Sequence, residues 1–279
     1  MPILDDGWRA WLAENVRRGC SPESMAAAMV NAGFNYNAAI ASATLFRNGG
    51  NSAFTQGVDP SRYLYDPCPV EGGVIAAHDR EVRVTMRREQ PQIIVMENVL
   101  SAEECDTLIE ASRERLKRST TINAFTGKEE VIAERASESF SFQRGETPLC
   151  DIIERRLAAI SRWPIPNGEG LQILHYRLGG HYKPHYDYFP PEEPGSAVQT
   201  QYGGQRVATI IMYLNDVEEG GETVFPKAGV SVTPRKGNAV YFRYTNQLGQ
   251  LDPLSWHGGA PVRKGEKWIM TKWLRQGMY

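Results

Sequence analysis

The spacing of hydrophobic residues along this chain changes its period twice, and each change marks a boundary. Trp8, Trp11, Leu12 and Val16 recur at helical spacing and give a first helix one apolar face. Ser21-Pro22 has the form of an N-cap followed by proline at the first helical position, where a missing N–H costs nothing. Met25, Met29 and Ala32 continue that second helix, and Gly33 ends it. Asn37 is expected to cap a third helix carrying Ile40, Ala41 and Leu45. Residues 1–46 thus read as a small helical domain.

The period is then lost. Asn48-Gly49-Gly50-Asn51-Ser52 is a turn-rich link and Tyr63 to Pro69 is extended and proline-punctuated, so 47–90 reads as linker and extended segment. A second pattern occupies 91–279. Gln92 to Met96 is a strand, and Ser101-Ala102-Glu103-Glu104 is a capping box opening a helix that carries Cys105, Leu108, Ile109 and Leu116. A loop-rich region at 118–145 precedes a helix that starts at Thr147-Pro148 and bears Ile152, Ile153, Leu157 and Ile160. Short β-type runs follow at 171–176, 206–214, 222–225, 229–233, 238–244 and 266–274. Many short strands behind a few helices predict an α+β domain, a double-sheet barrel flanked by helices.

Composition narrows the classes. The 279 residues suffice for one large domain with a small appendage, and 41% hydrophobic content supplies a core. A net charge of −2 and a pI near 6.3 give no general attraction to nucleic acid or anionic membrane. No apolar run approaches the roughly 18–20 residues of a membrane helix. Met1 to Asp6 has neither a basic start nor a signal-type apolar stretch, so the cytoplasm is the expected location. Cys20, Cys68, Cys105 and Cys150 are widely spread without a CxxC, which speaks against a disulfide framework or a catalytic thiol. Cys105 and Cys150 fall on apolar helical faces and are expected in the core.

The chemistry lies late in the chain. His185-Tyr186-Asp187 places two donors at i and i+2, on one face of a strand, and His257 must join them from a distant strand. Two imidazoles and one carboxylate on one face of an octahedron suit iron(II) with open positions for a chelating 2-oxo acid and dioxygen. Zinc is the alternative ion. Asp187 argues against a halogenase of this kind, which needs that position vacant for chloride. Lys267, ten positions past His257 on an apolar strand, offers a fixed cation for the far carboxylate of 2-oxoglutarate.

Several segments around these residues closely resemble the prolyl 4-hydroxylase family of iron(II) and 2-oxoglutarate dioxygenases. They are Leu171 to Tyr176, Tyr182 to Phe189, Gly203 to Thr209, Tyr213 to Thr223, His257 to Val262 and Gly265 to Trp273. The resemblance covers about residues 92–275 and says nothing of residues 1–90. It implies a double-stranded β-helix (jelly-roll) core with iron bound by His185, Asp187 and His257 near its open end. It implies that 2-oxoglutarate is decarboxylated to succinate and carbon dioxide while dioxygen hydroxylates an unactivated C–H bond. Ascorbate commonly keeps the iron reduced in this family. It also implies that Tyr176 and Thr223 join Lys267 in holding the cosubstrate, and that Tyr182, Arg206 and Trp273 contact a peptide.

Each of these residues has a plainer reading. Trp273 could be core packing, Arg206 could pair with Glu222 or Glu218, and Tyr176 and Thr223 could be barrel-lining residues satisfied within the protein. Arg275 stands where animal collagen-modifying members often carry histidine, so the peptide groove departs from theirs. Two segments, Thr120 to Arg144 and Phe189 to Gly204, have the composition and position of lids. Three functions follow. The first is hydroxylation of prolyl residues in a peptide or protein, which an open groove would favour. The second is the same chemistry on free proline, pipecolate or a natural-product intermediate, with Arg275 or Arg135 as cation for the substrate carboxylate. The third is a barrel that binds ligand without turnover, which a broken triad would have indicated. The Met/Ala-rich helices of 1–46 are similar to three-helix ubiquitin-associated modules; a packed appendage and a site for a protein partner are the two readings of them.

Overall fold

The computed structural model describes residues 4–49, 59 and 61–279. The chain divides into two compact units, Met1–Asp66 with Thr245–Asp252, and Pro67–Tyr244 with Pro253–Tyr279.

The first unit holds three helices, Asp6–Arg17, Pro22–Asn31 and Tyr36–Arg47, packed around Leu12, Met25, Met29 and Ile40. Ser21 caps the second helix through the Ser24 N–H, with Pro22 at its first position. The third is capped by Asn35 and not by Asn37. Asn35 is extended (φ −65°, ψ 139°) and accepts from the Ala38 N–H, whereas Asn37 already lies inside the helix, where a cap cannot sit. Asn37 instead uses its amide in both directions on the Leu251 backbone, accepting from its N–H at 2.9 Å and donating to its carbonyl at 3.1 Å. Of the glycine- and asparagine-rich link, Gly50, Asn51 and Ser52 lie outside the described residues.

In the second unit nine strands form an antiparallel sheet. Their order is Val74–Ala77, Arg80–Glu89, Gln92–Glu97, Ala239–Arg243, Arg206–Tyr213, Lys267–Arg275, Leu171–Tyr176, Glu138–Phe142 and Lys117–Arg118. The sheet therefore starts ahead of residue 91. It also recruits Glu138–Phe142 from the region expected to be loop, a five-residue alternation too short to stand out in sequence. A four-stranded sheet runs Val230–Val232, Thr223–Phe225, His257–Gly259 and Tyr182–His185. Together the two sheets make a double-stranded β-helix, or jelly roll.

The period of two sorts the faces of the large sheet. Along Lys267–Arg275, residues Trp268, Met270 and Leu274 enter the hydrophobic core. Lys267, Ile269, Thr271, Trp273 and Arg275 line a cavity on the other side. The neighbouring Leu171–Tyr176 does the same, with Leu171 and Ile173 in the core and Gln172, Leu174 and Tyr176 on the cavity wall. Helices Ala102–Arg113 and Pro148–Ser161 cover the core face, contributing Cys105, Leu108, Cys150, Ile153 and Leu157. The first helix opens on the expected capping box, with both Ser101–Glu104 hydrogen bonds formed, and the second on Thr147. Arg156, fully buried, ties these helices together by pairing with Glu104 at 2.8 Å and with Asp79 at 2.7 Å. Hydrogen bonding to its guanidinium lowers the Asp79 pKa to about 2.

Candidate active site

His185 and His257 are direct partners across two antiparallel strands, which sets their rings 4.6 Å apart. The strand Tyr182–His185 ends at its histidine, so Asp187 lies just beyond it and not within it. Its carboxylate still reaches both rings: Oδ1 is 3.5 Å from His185 Nε2 and Oδ2 is 3.6 Å from His257 Nε2. One donor atom from each residue lies within 4.8 Å of the others.

The hydrogen bonds fix what these atoms offer. His185 Nδ1 faces the Lys183 carbonyl and His257 Nδ1 faces the Ser255 carbonyl, each at 2.9 Å. A carbonyl only accepts, so Nδ1 carries the proton in both rings and each Nε2 keeps a lone pair. Burial lowers the His257 pKa to about 4, against the pull of Asp187, so this imidazole is neutral at ordinary pH. Burial works to raise the Asp187 carboxyl. The two imidazoles, whenever they are protonated, and the charge of Arg206 outweigh it and hold the group well below the usual carboxylate range. Three lone-pair donors thus converge with no proton between them, an arrangement that calls for a cation. Two imidazoles, one carboxylate and open sides fit iron(II).

The same cavity, about 710 Å³, is lined by Lys267, Tyr176 and Thr223. Lys267 is 2% exposed, and its ammonium makes no hydrogen bond or ion pair among the described residues. Burial lowers its pKa to about 8, with Glu222 opposing. Tyr176 is its direct partner on the adjacent strand, and its ring centre lies 5.5 Å from the ammonium. Thr223 is buried and accepts a hydrogen bond from the Tyr213 hydroxyl at 2.8 Å. This is a cavity with a cation at one place and a set of metal donors at another, both facing inward.

Tyr182 stacks on His185 with ring centres 3.7 Å apart, and the Arg135 guanidinium sits 5.0 Å from the Tyr182 ring centre. Arg135 is buried, donates to the Thr120 carbonyl and to Gln172, and leaves its Nε without a hydrogen-bond partner. Arg206 lies 4.0 Å over the Trp273 ring and pairs with Glu169 at 2.7 Å, not with Glu222 or Glu218. Those two glutamates lie toward Arg263 and Lys264. Arg275 is 1% exposed and shares Glu169 at 2.7 Å, donating also to the Gln199 and Gly204 carbonyls. The Trp273 indole nitrogen is buried in the wall without an acceptor.

The two expected lids touch each other. Gly195 N–H donates to the Ala124 carbonyl at 2.8 Å, and the Gln199 amide donates to the Gly127 carbonyl at 2.7 Å. Sequence reasoning missed Glu169, the anion shared by buried Arg275 and partly buried Arg206. Its one signal is a lone acidic residue between Gly168 and Gly170, directly ahead of a strand.

A jelly roll with this donor set matches the model of the 2OG-Fe(II) oxygenase superfamily over residues 171–275. Probable prolyl 4-hydroxylase 3 of Arabidopsis thaliana is 42% identical over 209 residues, covering 68% of this chain and 71% of the relative. Prolyl 4-hydroxylase 1 of the same plant is 43% identical over 201 residues, covering 67% and 69%. Among solved structures, the viral collagen prolyl hydroxylase of Paramecium Bursaria Chlorella virus-1, in its 2OG complex, superposes with a TM-score of 0.51. It is 28% identical, and the match covers 66% of this chain and 95% of the viral one. The chain belongs to the prolyl 4-hydroxylase family of iron(II)- and 2-oxoglutarate-dependent dioxygenases.

Proposed function

We propose that this enzyme hydroxylates prolyl residues within a peptide or protein, consuming dioxygen and 2-oxoglutarate and releasing succinate and carbon dioxide. The observation that carries the reading is one cavity holding both the His185–Asp187–His257 donors and the solitary Lys267 ammonium. Iron(II), when bound by those three residues, supplies dioxygen activation. Lys267 takes the far carboxylate of 2-oxoglutarate, and Tyr176, from the adjacent strand, and Thr223, from the four-stranded sheet, line the same cavity and join it. An extended proline-rich segment costs little to order and suits an aromatic groove. Tyr182 and Trp273 supply the aromatic faces, and Arg206 orients Trp273.

A free amino acid is the second reading. Arg135, with an unpartnered Nε in the cavity wall, favours it as a cation for the substrate carboxylate. Arg275, the other residue considered for that role, has its charge engaged by Glu169. A cytoplasmic location is part of the proposal. The four cysteines are unpaired, which suits a reducing compartment, and no helix among the described residues is long and apolar enough to cross a membrane.

The test is succinate formation with iron(II), ascorbate and 2-oxoglutarate across proline-rich peptides, free proline and pipecolate. One added oxygen on a peptide, read by mass spectrometry and lost in His185→Ala, is the expected result. Turnover confined to free amino acids would replace the first reading with the second.

A further inference from the structure

Asp187 has a neighbour that the metal reading does not use. Thr209 interrupts the apolar run Val207-Ala208-Ile210-Ile211-Met212 and is completely buried. Its Oγ1 lies 2.6 Å from Asp187 Oδ2 and 3.0 Å from the Tyr244 hydroxyl. A threonine hydroxyl has one proton to give. Asp187 is ionised and can only accept, so that proton points at Oδ2, and Tyr244 must donate into Thr209 Oγ1. Tyr244 is itself fully buried, and burial holds its phenol protonated far above the ordinary range, as this direction requires. The bonds therefore run one way, from Tyr244 to Thr209 to Asp187.

The arrangement answers a need of the site. The terminal torsion of an aspartate is broad and two-fold, so nothing in Asp187 itself fixes the plane of its carboxylate. Asp187 also lies just past the end of its strand, without a ladder to hold it. Thr209, by contrast, sits in a central strand of the large sheet, between Phe242 on one side and Trp273 on the other. It is the rigid member of the pair.

We propose that Thr209, backed by Tyr244, is the positioning residue of the metal centre. It clamps Oδ2 and fixes the carboxylate plane so that its oxygens face the two imidazoles. The proposal rests on His185, Asp187 and His257 being the metal ligands. Partners of metal ligands in other proteins carry roughly 10- to 100-fold of metal affinity, which sets the size of effect to look for.

The experiment is anaerobic titration of the full chain with cobalt(II), without cosubstrate, following the d–d absorption. Thr209→Val keeps shape and loses the hydroxyl; Thr209→Ser keeps the hydroxyl; Tyr244→Phe loses only the backing donor. Thermal unfolding of each metal-free protein is measured in parallel. Cobalt(II) should bind Thr209→Val roughly 10- to 100-fold more weakly and with an altered spectrum. Thr209→Ser should restore both affinity and spectrum, and Tyr244→Phe should fall between. Thr209→Val binding cobalt(II) within about twofold of the unmodified protein, with the same spectrum, would overturn the proposal. Should that variant not fold, Thr209→Ala is read by the same criterion. An unmodified protein that takes up no cobalt(II) would instead defeat the metal-ligand assignment, and this proposal with it.

Discussion

Lys267 shows how one residue can cost the fold and serve the site. Its pKa falls from an ordinary 10.5 to about 8, so burying the charged form costs about 3 kcal/mol. That cost is fully present below pH 8, where the folded and unfolded chains are both protonated. It is relieved as pH rises from about 8 towards 10.5, because the folded protein loses its proton first. Anion binding needs the proton that is lost. Affinity for 2-oxoglutarate should therefore weaken about tenfold per pH unit above 8, measured by equilibrium titration of the manganese(II)-loaded protein. Lys267→Arg should flatten that limb, since a guanidinium does not titrate there, and Lys267→Ala should abolish binding. Glu169 presents the opposite case, an anion shared by two cations, Arg206 and Arg275. Glu169→Gln leaves Arg206 and Arg275 without their shared carboxylate and should destabilise the protein by about 3–5 kcal/mol in urea unfolding.

At the scale of elements, the ligand strands are held together by close backbone approach. A Cβ on Gly258 would meet the Tyr182 carbonyl at 2.8 Å and the Pro184 nitrogen at 2.9 Å, both of them backbone atoms that cannot step aside. Gly258→Ala must part the strands carrying His257 and His185, and metal affinity should fall by about tenfold or more in a cobalt(II) titration. The contact between the two lid segments rests on Gly195 in the same way, since a Cβ there would meet Gly127 N at 2.5 Å and the Asn123 carbonyl at 2.6 Å. Gly195→Ala should open that contact. The expected outcome is a raised KM for peptide, with substrate-free decarboxylation of 2-oxoglutarate unchanged and faster cleavage of residues 120–144 by protease. An unchanged KM and cleavage rate would mean that the lids do not depend on this contact.

Across the whole molecule, the two units are not two consecutive stretches of sequence. Residues 245–252 belong with the N-terminal helices, where Gln250 accepts from the Leu64 N–H and donates to the Arg62 carbonyl, each at 3.0 Å. Asn37→Ala strips both backbone partners from Leu251 and should cost about 2 kcal/mol, read as a lowered melting temperature. Local and periodic signals were legible in the chain: the Ser101–Glu104 and Ser21-Pro22 helix starts and the strand at 171–176. These depend on neighbours a few residues away, and backbone geometry alone dictates them. Asn37 misled for the converse reason, because its partner is Leu251, far along the chain. Glu169 and Tyr244 carry no motif, and the segment that contains Thr209 does not reveal its partner; their roles come from strand order and register, which set Thr209 opposite Phe242 and Trp273 and bring His257 opposite His185. By itself the sequence determined the donor types, the helix caps and the alternation that gives each strand a core face and a cavity face. Only the tertiary structure decided which charges neutralise one another and that the buried Lys267 ammonium stays unpaired among the described residues, because pairing across a barrel depends on distances that no local spacing encodes.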